Sequence, residues 1–111
     1  MMNVQPFSKE LFDLCKNAGI KSVELRFSGG SDQGYLDINI QPYECSSEKL
    51  LQKIEDWTWS VYFYSGAGDG SDYGDNITYN FETGKVETES WYSEPQSEYG
   101  QEDLVIDDKK E

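Results

Sequence analysis

The densest set of potential metal ligands lies in the loop 66–75, where Asp69, Asp72 and Asp75 stand three apart among Gly66, Gly68, Gly70 and Gly74. Calcium takes six to eight oxygen ligands, and glycines let a loop fold its carbonyls inward. A calcium-binding small domain built on this Gly/Asp loop is therefore one reading. The loop is not an EF-hand: counted from Asp69, the third and fifth positions are Ser71 and Tyr73, and the twelfth is Asn80. Calcium β-rolls need several repeats, and one is present. The plainer reading is a solvated, turn-rich loop, and no cofactor is expected.

Catalytic chemistry has little to work with. The chain has no histidine, which removes the commonest general base and excludes His-based triads, His-rich zinc sites and haem with a His ligand. Cys45 sits just before an expected helix start, where a thiolate is favoured, but no base is legible beside it. Cys15 and Cys45 do not make a disulfide framework, and buried structural thiols are their commoner role. Carboxylate pairs assembled from 22 acids arise by chance and carry no weight alone. The Gly29-Gly30 turn opens a strand, not a helix, so it does not resemble a phosphate cradle. Trp57, Trp59 and Trp91 are read chiefly as core. The Asn76-Ile77-Thr78 sequon has no role in a cytosolic protein. The expectation is a protein that is not an enzyme.

Charge is the main functional signal. The 22 Asp and Glu outnumber the 9 Lys and Arg, for a net charge of −13 over 111 residues. Direct binding of nucleic acid is excluded on that balance. No segment reads as a signal peptide or a membrane span. The expected setting is a reduced cytoplasm, with no membrane partner. Thirteen of the acids follow residue 64, against three bases.

The elements that position these residues follow from hydrophobic period. Ser8 caps a helix over 8–18 with Phe7, Leu11, Leu14 and Ala18 in its stripe, and Gly19 stops it. Val23, Leu25 and Phe27, then Leu36, Ile38 and Ile40, alternate with polar residues across a Gly-rich turn, as in a β-hairpin. Pro42 helps end the second strand. Ser46 or Ser47 starts a second helix carrying Leu50, Ile54, Trp57, Val61 and Tyr64; its rival is a strand over 57–64. Ile77, Tyr79 and Phe81 open a second hairpin, turned at Gly84 and returning from Val86 to Tyr92.

The expected fold is α+β: two helices on one face of a four-stranded antiparallel sheet, in the order αββαββ, with an acidic flexible C-terminal tail. One domain spans 1–99, and 100–111 is the tail. The expected core is Leu11, Leu14, Val23, Leu25, Phe27, Leu36, Ile38, Leu50, Ile54, Trp57, Val61, Ile77, Tyr79 and Phe81.

Phe27-Ser28-Gly29-Gly30-Ser31-Asp32-Gln33-Gly34 and Gly74-Asp75-Asn76-Ile77-Thr78-Tyr79, leading into Val86–Tyr92, resemble a small acidic α+β family of unknown function found in bacteria and phages. The resemblance covers residues 20–92. It implies the element order and a bacterial or phage-infected setting, and it implies no site residues.

Duplex DNA presents about one charge per 100 Å², whereas 22 acids spread evenly over roughly 6,200 Å² give about one per 280 Å². Nucleic-acid mimicry therefore requires clustering on one face. The expected function is a non-enzymatic acidic protein-binding module. It would occupy a basic, nucleic-acid-binding surface of a partner such as a nuclease, as anti-defence inhibitors and nuclease-immunity proteins do. The candidate contacts are Asp69, Asp72, Asp75, Glu82, Glu87, Glu89, Glu94 and Glu98, with Tyr73 and Tyr92 as anchors. The alternatives are the calcium loop and a plain acidic domain whose charge promotes solubility.

Overall fold

The structure, a computed structural model, describes residues 4–29, 34–62, 73–92 and 96–107. The elements run β1 (Phe7–Ser8), α1 (Lys9–Ala18), β2 (Ser22–Gly29), β3 (Gly34–Gln41), a 3-10 turn (Tyr43–Cys45), α2 (Glu48–Val61), β4 (Tyr73–Asn80), β5 (Lys85–Tyr92), β6 (Gln96–Asp103) and β7 (Ile106–Asp107). The main sheet has five antiparallel strands in the order β3-β2-β4-β5-β6, and β1 pairs with β7 in a short parallel ladder. The α+β class holds.

Three features differ from the sequence-based expectation. The sheet has five strands, not four. The expected αββαββ order is flanked by β1 before α1 and by β6 and β7 at the C-terminal end. The segment expected to be a flexible tail from residue 100 runs in β6 through Asp103 and then in β7, where Phe7 N–H donates to the Val105 carbonyl at 2.9 Å. Residues 108–111 lie outside the described residues.

Both helices end as their sequences dictate. Ser8 Oγ accepts from Leu11 N–H at 3.4 Å, and Ser47 Oγ from Leu50 N–H at 3.2 Å, so each satisfies an orphan donor of a first turn. Gly19 adopts φ 83°, a left-handed conformation that suits glycine. There its N–H and that of Ile20 close α1 onto the Lys16 and Cys15 carbonyls. Helix, not strand, prevails over residues 57–61.

Alternation decides which side of the sheet is covered. Val23, Leu25, Phe27, Ile77, Tyr79 and Val86 share one face and are buried beneath Leu11, Cys15, Leu50 and Ile54 of the helices. Two expected core residues are outside. Leu14 is 37% exposed because α1 turns Leu11, Phe12 and Cys15 inward, with the Phe12 ring 5.2 Å from that of Phe81. Val61 is 38% exposed because the chain leaves the helix at Tyr62, and the Tyr62 ring fills that space. Phe7, expected on the helix stripe, lies in β1 and joins an aromatic cluster, its ring 4.9 Å from both Trp57 and Tyr79.

The polar side chains of Thr58, Tyr62 and Tyr79 inside the core are paired. Thr58 Oγ1 donates to the Ile54 carbonyl at 2.7 Å. The Tyr62 and Tyr79 hydroxyls are bonded to each other. Gln5 N–H donates to Tyr62 Oη at 2.8 Å, and Tyr79 O–H donates to the Gln5 carbonyl at 2.8 Å. With the Tyr79 proton directed at Gln5, Tyr62 must donate to Tyr79. This ring of bonds anchors residue 5 to β4, and burial raises the pKa of both phenols.

Candidate functional site

The face of the sheet opposite α1 and α2 carries the polar half of each alternating strand. Register aligns Asn39, Glu24, Thr78, Glu87 and Gln101 in one row, and Asp37, Arg26, Asn76, Glu89 and Tyr99 in the next. Between these rows lies an open groove of about 660 Å³, lined by Glu24, Asn76, Thr78, Glu87, Glu89, Tyr99 and Gln101 among others. Two of its carboxylates are oriented by amides: Glu24 Oε1 accepts from Asn39 Nδ2 at 3.4 Å, and Glu89 Oε1 from Asn76 Nδ2 at 3.2 Å. Tyr99, 73% exposed, stands on the edge strand.

Flanking rows bound this surface. On one side Lys85 Nζ contacts Asp103 Oδ1 at 2.5 Å and holds that carboxyl below the usual carboxylate range. On the other side the Trp91 indole lies over Gly74, in the space a Cβ there would occupy. Glycine at 74 is thus required by close approach and not by backbone conformation. Trp91 belongs to this face, whereas Trp57 packs among the core rings.

The expected contact residues divide. Glu87 and Glu89 lie on the open face. Asp75 lies in the register of the covered face, beside Phe27, and its Oδ1 accepts from Ser90 Oγ at 2.5 Å. Glu82 is in the β4–β5 turn, 3.8 Å from Lys21 Nζ. Tyr73, Tyr92 and Glu98 fall within β4, β5 and β6; Tyr73 pairs with Tyr92, and Glu98 with Ser90. Asp69, Asp72 and Glu94 lie outside the described residues, and so does most of the 66–75 loop. Among the described residues, no group of three or more Cys, Asp or Glu could hold a metal ion.

Glu24, Asn76, Thr78, Tyr99 and Gln101 were missed by sequence reasoning. The signal for Glu24 was present, since it alternates with Val23 and Leu25. Its convergence with Glu87 depends on β2 pairing with β4, across a long stretch of intervening chain.

The cysteines differ from each other. Cys15 is fully buried, which pushes its thiol up to about 11. Cys45 is half-buried in the 3-10 turn. Among the described residues no helix is long and apolar enough to cross a membrane. Comparison with family models, curated proteins and solved structures gives no match.

Proposed function

We propose that the protein is a non-enzymatic binding module whose open sheet face receives a basic surface of a partner protein. The observation that carries this reading is the convergence of Glu24, Glu87 and Glu89 around a groove on the face opposite both described helices. Outward residues on a sheet are spaced ~4.8 Å across strands and ~6.8 Å along them, so the open face's positions span roughly 650 Å². Glu24, Asp37, Glu87, Glu89 and Asp103, offset by Arg26 and Lys85, give this face about one net charge per 220 Å².

Measured on the same kind of smooth surface, the open face carries about half the charge density of a DNA duplex. That density suits a surface built to hold nucleic acid, such as that of a nuclease, when aromatic contacts add to the charge. Tyr99 and Trp91 flank the groove for that purpose, since tyrosine and tryptophan are enriched at binding hot spots.

The test is affinity capture from an extract of the native host, with the wild-type chain against a Glu24→Lys/Glu87→Lys/Glu89→Lys variant. A basic protein retained by the wild type and lost by the variant is the expected result. A partner retained equally by both contradicts the assignment.

A further inference from the structure

We propose that the β3 edge and helix α2 together take an extended segment of a partner protein, alternating apolar and cationic side chains, as a sixth strand of the sheet. Among the described residues, strand β3 pairs only with β2. Alternate residues of an edge strand direct their N–H and C=O groups outward, where another strand can meet them. Sheet edges are ordinarily blunted by lysine, proline or a bulge. β3 has none of these: its eight residues hold one charge, Asp37, and its register with β2 is unbroken. The opposite edge differs, with Glu98, Glu102 and Asp103 in β6.

Beside this edge lies a second groove, of about 410 Å³, between β3 and α2. Leu36, Ile38 and Leu51 form its apolar lining and are only half-buried. Glu48 and Glu55 of α2 and Asp37 of β3 border it. Among the described residues, no cation pairs with any of these three.

A strand added to β3 would send every second side chain to the helix side, against Leu36, Ile38 and Leu51, and the others to the side of Asp37. Apolar residues fit the first set, and lysine or arginine facing Asp37 fits the second. A second copy of this chain fits poorly. It would bring a net charge of −13 and set Asp37, Glu48 and Glu55 against acids of their own kind. The site is separate from the open-face groove and does not rest on its assignment.

The probe is a capped peptide of about seven residues alternating lysine and valine, titrated into the full chain and followed by NMR and amide hydrogen exchange. The expected result is saturable binding with new protection confined to β3 amides. Replacing the central valine by proline should abolish that protection, because proline removes a ladder donor. Asp37→Lys, which reverses the charge facing the peptide lysines, should weaken binding about tenfold or more. Three results would overturn the proposal: binding without β3 protection, equal binding of a glutamate–valine peptide, or β3 protection that appears without peptide as protein concentration rises. The last would assign the edge to a second copy. The open-face groove is lined by β2, β4, β5 and β6 and not by β3, so failure of open-face binding would leave β3 protection untouched.

Discussion

Strand β4 places the two faces of the sheet side by side. Ile77 and Tyr79 are buried under the helices, while Asn76 and Thr78, one residue away in each case, line an open groove. The covered face is held by apolar burial and a closed ring of hydrogen bonds. The open face is held by the same backbone ladders but spends its side chains on charge. Stability and recognition are therefore separated by a period of two, and a substitution should report on one or the other according to its parity.

The largest effect expected from this contrast is on the covered face. Ile77→Ala should destabilise by about 3 kcal/mol, from lost apolar transfer and the cavity left behind. The neighbouring Thr78→Ala should change stability by no more than about 0.5 kcal/mol. Paired denaturant titrations check both. Near-equal losses would break the division between faces.

Gly74→Ala breaks the parity rule in a defined way. Its new methyl meets the Trp91 indole, so an open-face change should destabilise by about 1–3 kcal/mol and alter Trp91 fluorescence. Tyr79→Phe should remove about 2 kcal/mol, because it leaves the Gln5 carbonyl and the Tyr62 hydroxyl without their partner. Amide exchange at Phe7, in the strand next to Gln5, should rise with it.

Titration sharpens the contrast at smaller scale. The Cys15 thiol is raised by burial from 9.0 to about 11. The folded state thus holds this proton more tightly than the unfolded one. The resulting stability is fully present below about pH 9 and is lost as pH rises to about 11. Cys15→Ser should flatten that part of the curve, and a thiol reagent near neutral pH should label Cys45 ahead of Cys15. Asp103 has the opposite sign: Lys85 lowers its folded-state pKa, so its contribution is lost on acidification. The pair is exposed, and Lys85→Ala should have the smallest effect of the series, fading with salt.

Much of the covered face was legible because apolar period carries it. Ser8, Gly19 and Ser47 mark helix ends by capping chemistry, and Val23–Phe27 and Ile77–Phe81 show the period of a half-buried strand. β6 was invisible to the same test. Opposite Val86, Thr88 and Ser90 its register holds Glu102, Gly100 and Glu98, so no apolar alternation marks it, and its pairing with β5 joins it to the sheet. Phe7 was misplaced because two residues of parallel β1–β7 pairing leave no periodic trace. Of the open face, Glu87 and Glu89 were accessible from one strand's alternation. Glu24 and Tyr99 join them through strand pairings that local sequence does not encode.

The central claim is that the open face meets a basic surface through charge. Its most direct test is the affinity of the captured partner between about 50 and 500 mM salt, for the wild-type chain and for Glu87→Lys/Glu89→Lys. A steep loss of affinity with salt for the wild type, and a weaker, flatter dependence for the variant, is the predicted result. Affinity unchanged across the series, or the same salt dependence in both chains, would contradict the account and leave the acidity as a solubilising feature alone.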